Sequence, residues 1–179
     1  RYTSQLIGVR KQNGEYSFSF ANLKKIIRFA LAHGIKYFEF SHLFTQWGAA
    51  HAPKIMAEVD GKTQRIFGWE TDATSPEYVG FLRQFIPTFL AHMKKNGNDK
   101  RCFFHISDEP HVDQLESYLA AKNIVAPLLE GYPIMDALSK IDIDYEIRKA
   151  RAEIQNRRGS QRDNAVKVLG YLKAAKDMD

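Results

Sequence analysis

The run at residues 101–107 (RCFFHIS), closing on Asp108-Glu109-Pro110, narrows the folds open to this chain more than any other feature. Its aromatic and branched side chains suit a pleated, half-buried surface. Successive side chains of a strand point to opposite faces, so His105, Ser107 and Glu109 share one face while Phe104, Ile106 and Asp108 share the other. Phe104 and Ile106 suit a side covered by helices, which leaves His105, Ser107 and Glu109 facing a barrel interior or cleft. Asp108 reaches the same cleft only where the strand ends and the backbone turns, and Pro110 favours such a turn. Acidic residues at the C-terminal end of a parallel strand are where barrel folds place catalysis. The alternative is that Asp108 or Glu109 merely caps the following helix.

Elements of both periods surround this run. Residues 22–33 (NLKKIIRFALAH) set Leu23, Ile26, Ile27, Ala30 and Leu31 on one helical stripe, with Gly34 as a stop. Residues 35–43 (IKYFEFSHL) read as a buried strand, and residues 44–64 as a long connecting loop with one helical turn near 54–59. Residues 65–69 (RIFGW) read as a second, shorter strand. Ser75-Pro76-Glu77 is a helix start: Ser accepts an orphan N–H, Pro fits the first turn and Glu suits the dipole. That helix carries Val79, Leu82, Phe85, Ile86, Phe89, Leu90 and Met93 inward to about Asn96-Gly97, and Pro87 is expected to kink or divide it. A helix is expected over 111–122, ended by Pro127, then a last strand over 134–138 (IMDAL). From Tyr145 onward the pattern is two amphipathic helices broken near Arg158-Gly159-Ser160. Strands alternating with helices indicate βαβ units and a parallel sheet.

Composition sets the scale. With 179 residues and 44% hydrophobic content the chain suits one domain with its own core, and an aromatic share of 12% excludes disorder. A complete (β/α)8 barrel usually takes about 250 residues and rarely fewer than about 200. The expected fold is therefore α/β: a partial TIM-type barrel of parallel strands over 1–143, closed off by a C-terminal helical pair over 144–179. The chain opens on Arg1 without a Met or a signal-like apolar segment, as a fragment or processed product would. An incomplete parallel sheet leaves open edges, which a homodimer or the tail helices folding over the gap would cover.

The formal charge of +5 suggests a polyanion partner, but residues 1–143 hold 17 Lys/Arg against 15 Asp/Glu while residues 144–179 hold 9 against 6. Most of the excess belongs to the tail, where Arg148, Lys149, Arg151, Arg157 and Arg158 read as a solvated helix face, so no nucleic-acid partner is expected. The lone Cys102 excludes a disulfide framework and leaves the compartment open. Early in its strand and behind the proposed active face, it is no candidate nucleophile. No apolar run approaches the roughly 20 residues of a membrane span. The six His residues show no paired ligand spacing, so no metal is expected, and residues 8–14 (GVRKQNG) lack either glycine-rich phosphate pattern. No cofactor is implied.

The segments FFHISDEP (103–110), HLFTQWGAAHAPKIMAEVDG (42–61), IFGWETDATSPEYVGFLRQF (66–85) and ESYLAAKNIVAPLLEGYPIMDALS (116–139) together closely resemble the catalytic domain of glycoside hydrolase family 123. The resemblance covers roughly residues 5–143 and does not extend to the tail. It implies a (β/α)8 barrel whose adjacent Asp-Glu pair acts by substrate assistance, in a family that includes β-N-acetylgalactosaminidases. Glu109 then corresponds to the general acid/base and Asp108 to the residue that orients and polarises the substrate's 2-acetamido group. That role requires Glu109 to start protonated, through burial or the neighbouring Asp108 charge. The implied partner is a glycan or glycolipid substrate carrying β-linked N-acetylgalactosamine.

Trp47 and Trp69 are candidates to stack on a sugar ring, against core or rim packing as the plainer reading. His42 and His105 could hydrogen-bond sugar hydroxyls or orient Asp108, against a structural role. Gln46 and Asp72 lie in matched loops with weaker claims. Two other readings stay open: a catalytically incompetent barrel fragment that binds carbohydrate or serves structure, and a different retaining glycosidase with Glu109 as acid and a nucleophile elsewhere.

Overall fold

A computed structural model describes residues 5–108, 114–136, 143–156 and 159–176. Two tight hairpins open the architecture. Strands β1 (Gly8–Gln12) and β2 (Glu15–Ser19) pair antiparallel across Asn13-Gly14; β4 (Ile55–Val59) and β5 (Lys62–Phe67) pair antiparallel across Asp60-Gly61. In both turns the two central residues have positive φ, 52° and 83° in the first and 50° and 75° in the second. This is the primed turn that matches strand twist and selects Asn-Gly or Asp-Gly. Parallel pairing of β1 with β4 joins the hairpins into one four-stranded sheet, ordered β2-β1-β4-β5.

Neither hairpin follows from the expected pattern. Residues 8–19 lie where periodicity indicates no element, and the helical turn expected near 54–59 is instead strand β4. The decisive local signal was the Asp60-Gly61 pair, which fixes a reversal and lets five residues on each side form a ladder. The sheet is thus mixed rather than wholly parallel.

Parallel strands do occur around the RCFFHIS run. Strand β3 (Phe38–Glu39) pairs parallel with β6 (Cys102–Phe103), and backbone bonds continue the contact from Phe40 N–H to Phe103 O, Leu43 N–H to His105 O and Phe44 N–H to Ile106 O. On the other side a single parallel bridge joins Phe104 to Ile134, with Phe104 N–H donating to Pro133 O and Met135 N–H to Phe104 O. The expected strand over 35–43 is shorter and less buried than its aromatic content suggests, since Tyr37 is exposed. Of the strand expected over 134–138, residues 137 and 138 lie outside the described residues.

Helices α1 (Ala21–Ala32), α2 (Pro76–Lys95) and α3 (Leu115–Val125) form; the α1 stripe buries Leu23, Ile27 and Ala30 but leaves the expected Ile26 exposed, and α2 buries Tyr78 and Phe81 beside the expected Leu82, Ile86, Phe89 and Met93. The first part of the helix expected over 111–122 lies outside the described residues. Helix α2 begins as its sequence dictates, with Ser75 Oγ accepting the Tyr78 N–H at 3.4 Å, and runs unbroken through Pro87. Its buried stripe spans the proline, with Tyr78, Phe81, Leu82 and Ile86 before it and Phe89 and Met93 after it. Packing on both sides keeps the two halves in one helix against a penalty of about 3 kcal/mol. A ladder of ring contacts then ties sheet to helix: Tyr16 and Phe18 on Phe81, Phe20 on Phe89, and Phe40 on Phe89 and Phe104.

Helices α4 (Ile143–Asn156) and α5 (Ser160–Lys176) form the expected C-terminal pair around Gly159. Ile147, Ala150 and Leu172 close a small apolar cluster with Leu115 of α3.

Candidate active site

The site grows from the end of the β6 run. Cys102, Phe104 and Ile106 are buried, and Ser107 is fully enclosed, its Oγ donating to Thr45 O at 2.9 Å. Burial pushes the Cys102 thiol up to about 12, helped by the Asp99 charge, and its Sγ lies 3.2 Å from Asn98 O. A thiol held neutral in this way is a packing group, as its place in the strand implies.

Asp108, one residue beyond Ser107, is exposed. Its carbonyl accepts the N–H of Trp47 at 2.9 Å. Trp47, Gly48 and Ala49 all have left-handed backbones, with φ of 61°, 95° and 57°. Such a run persists only where surrounding structure over-determines it, and backbones of this kind cluster at functional sites. The restraints are visible. Asp108 holds Trp47 from one side, and Ser117 Oγ of α3 donates to Gly48 O at 2.6 Å from the other. Gly48 lies so close to α3 that a Cβ there would stand 2.5 Å from Gln114 Cβ. The outcome is a Trp47 side chain 54% exposed beside the strand end.

Trp69, 55% exposed, stands on a neighbouring loop with its ring centroid 5.9 Å from that of His51. The two loops are laced together: Thr45 N–H donates to His51 O, Ala52 N–H to Thr71 O, and Ala73 N–H to Ala50 O. Asp72 terminates this lacing. The Thr74 hydroxyl and the Thr74 N–H, each 2.7 Å from its Oδ1, hold its carboxyl below the usual range, which gives Asp72 a turn-forming role. Thr45 therefore links both tryptophan loops to Ser107.

His105 belongs to a different cluster. Its Nε2 is 2.9 Å from Glu39 Oε1, without hydrogen-bond alignment, and its Nδ1 is 3.3 Å from Asp136 Oδ1. Asp136 also accepts the Ile106 N–H at 2.8 Å and the Tyr118 hydroxyl at 2.6 Å. His42 goes elsewhere again, into the wall of a mainly apolar cavity of about 330 Å³ with Phe40, Tyr78, Phe85 and Phe104. Trp47, Trp69, His105 and Asp108 do not line that cavity. The Tyr78 hydroxyl donates to Leu43 O in this region, and burial raises its pKa. Glu109 lies outside the described residues.

Of the sequence candidates, then, Asp108 and Trp47 are joined directly, and Trp69 indirectly through the loops. Glu39, Asp136, Tyr118, Thr45 and Ser117 were not anticipated. The available signal for two of them was a lone carboxylate inside an apolar run, in IKYFEF and in IMDAL. Among the described residues, no three His, Cys, Asp or Glu side chains are grouped to hold a metal ion, and no helix is long and apolar enough to cross a membrane.

Residues 1–175 match the family model described as the glycoside hydrolase 123 catalytic domain. The match runs past residue 143 and takes in α4 and nearly all of α5, so the tail expected to fall outside the resemblance is included in it. No curated protein matches the sequence. With the exposed Asp108 and the clamped Trp47 turn both inside the matched region, the chain belongs to the glycoside hydrolase 123 catalytic-domain family, a family of glycoside hydrolases.

Proposed function

We propose that this chain is a retaining glycoside hydrolase that removes β-linked N-acetylgalactosamine from glycans or glycolipids, using the substrate's own 2-acetamido group as nucleophile. The observation that carries the reading is Asp108, exposed at the end of a parallel strand and tied by its carbonyl to a left-handed turn that presents Trp47. Such a turn is a costly way to display an aromatic ring unless the ring has a partner. A pyranose C–H face is a natural one.

In the proposed reaction Glu109 donates its proton to the glycosidic oxygen as the bond to the anomeric carbon breaks. The acetamido carbonyl oxygen closes on that carbon to give an oxazolinium ion, with Asp108 accepting the acetamido N–H and balancing the developing positive charge. Water then opens the ring as Glu109 takes back a proton, so configuration is retained. The internal nucleophile gains from proximity, and no enzyme carboxylate need occupy the usual nucleophile position. The parallel strands around residues 38–44, 102–106 and 134 fit one part of a (β/α)8 wall in this reading, with residues 144–179 as a helical closure.

A second reading is a carbohydrate-binding module without turnover. It is favoured by Tyr37, just before β3, and Met135, next to the Ile134 bridge, both of which are exposed on either side of β6 and leave apolar surface uncovered there. One experiment separates the two. An aryl β-N-acetylgalactosaminide and the matching β-galactoside, which lacks the acetamido group, are offered to the protein and to Glu109→Gln and Asp108→Asn. Substrate assistance predicts turnover of the first only, with each variant losing on the order of 100- to 10,000-fold. Equal turnover of both sugars would overturn the assisted mechanism, and binding without turnover would favour the second reading.

A further inference from the structure

Asp136 lies two residues past the bridge that joins Ile134 to Phe104, with its side chain only 3% exposed. A carboxylate so enclosed needs donors, and the identity of its donors is informative. Oδ1 accepts the N–H of Ile106, two residues before Asp108. Oδ2 accepts the hydroxyl of Tyr118, in the first turn of α3, the helix that follows the Asp108-Glu109 segment. One side chain thus ties the strand end just before Asp108 to the first turn of α3. Hydrogen bonds to an ionised acceptor are roughly twice as strong as neutral ones, and a low-dielectric setting strengthens them further.

Stability alone does not call for this arrangement. Well-packed apolar side chains commonly serve a buried position as well as charged ones do. What a carboxylate adds is direction: two fixed bonds set the height of the strand end against the start of α3, whereas an oily contact would tolerate sliding. The Trp47–Asp108 and Gly48–Ser117 bonds restrain the same strand end and the same helix through a different loop. Fixing reacting groups matters because a displacement of about 1 Å can lower a rate by about 100-fold.

We propose that Asp136 is a positioning residue, holding the strand end that presents Asp108 against the start of α3 by bonding Ile106 on the one and Tyr118 on the other. The inference rests on the catalytic reading of Asp108 and Glu109, and its test has an arm that does not.

Asp136→Asn and Tyr118→Phe are compared with the unaltered chain in two measurements. The first is amide hydrogen exchange of the peptide covering residues 106–114. Each variant is expected to exchange about tenfold faster there, equivalent to about 1.4 kcal/mol and to losing or weakening one bond to a charged acceptor, while the β1–β2 hairpin is unchanged. The second is kcat on aryl β-N-acetylgalactosaminides with poor and good leaving groups. A displaced acid weakens proton transfer, which matters most for a poor leaving group. The expected loss there is on the order of 100-fold, against a much smaller one for a dinitrophenyl leaving group and a KM within about twofold. A purely structural role would lower both substrates in parallel with the folded fraction. Unchanged exchange at 106–114 in both variants overturns the proposal, and so does an equal loss across leaving groups. If the unaltered chain does not hydrolyse the aryl glycosides, the catalytic reading fails by itself and the exchange result still decides whether Asp136 fixes the segment. Tyr118→Phe keeps its ring in the core, so a folding defect in Asp136→Asn does not remove the test.

Discussion

Gly48 carries two requirements that no other residue type meets together: a φ of 95° and a backbone pressed against Gln114. Gly48→Ala is expected to destabilise the fold by about 1–3 kcal/mol, read as a lower urea midpoint at unchanged slope. It should also raise KM for an N-acetylgalactosaminide, since any shift of the turn moves Trp47. A fall in stability without a change in KM would mean that Trp47 does not contact substrate. At this scale the sequence is legible only in part. Trp47 stands out as an aromatic near a strand exit, but its left-handed backbone is invisible, because Trp and Ala both favour negative φ. Asp136 is invisible for another reason: its partners are 30 and 18 residues away, Ile106 reached through the parallel bridge of Ile134 to Phe104 and Tyr118 through the packing of α3. These long-range contacts made it a structural carboxylate rather than a polar end to an apolar run.

Helix α2 shows where local sequence suffices. Its Ser75 cap depends on residues within one turn, so the cap reads directly from Ser-Pro-Glu. Ser75→Ala should cost about 0.5–1 kcal/mol, the lower part of the usual range given a long bond, and lower Tm by roughly 1–4 °C in a thermal melt. A larger drop would mean that the cap also supports the Asp72–Thr74 turn just before it. Pro87 shows the opposite case, because an aromatic stripe on both sides of it outweighs the local break. The hairpins fall between these two. Asn13-Gly14 and Asp60-Gly61 are strong reversal signals in plain sight, yet β4 (IMAEV) lacks the alternation that marks a half-buried strand. Its burial is set by flanking β1 and β5 on either side rather than by a period of two.

At the scale of the molecule, α4 and α5 meet the rest, among the described residues, through a small apolar cluster. Leu172, fully buried, meets Leu115 of α3, and Tyr171 reaches the main core while its hydroxyl is bonded to Glu116, which raises its pKa. Of the basic face read from sequence, Arg148, Lys149 and Arg151 are exposed and Arg157 and Arg158 lie outside the described residues; the attachment of these helices to α3 depends on tertiary packing that periodicity does not reveal. Leu172→Ala should remove about 2–5 kcal/mol. The informative measurement compares two probes in urea: tryptophan fluorescence, which reports Trp47 and Trp69 in the body, and far-UV circular dichroism, which reports all helices. Coincident midpoints that fall together are expected of one cooperative unit. A fluorescence midpoint left unmoved would make residues 144–179 a separate domain.

The two Asn-Gly and Asp-Gly hairpins also have a bearing on time. Each closes a ladder between neighbours in sequence, an event of about 1–10 μs. Strand β3, which carries Glu39, meets β6 only after the whole of β4, β5 and α2 has been looped out between them, and closing such a loop loses entropy before its contacts compensate. Order should therefore spread from the hairpins inward, with the strand end that presents Asp108 assembled late. Early in folding the chain would have its scaffold and not yet its chemistry.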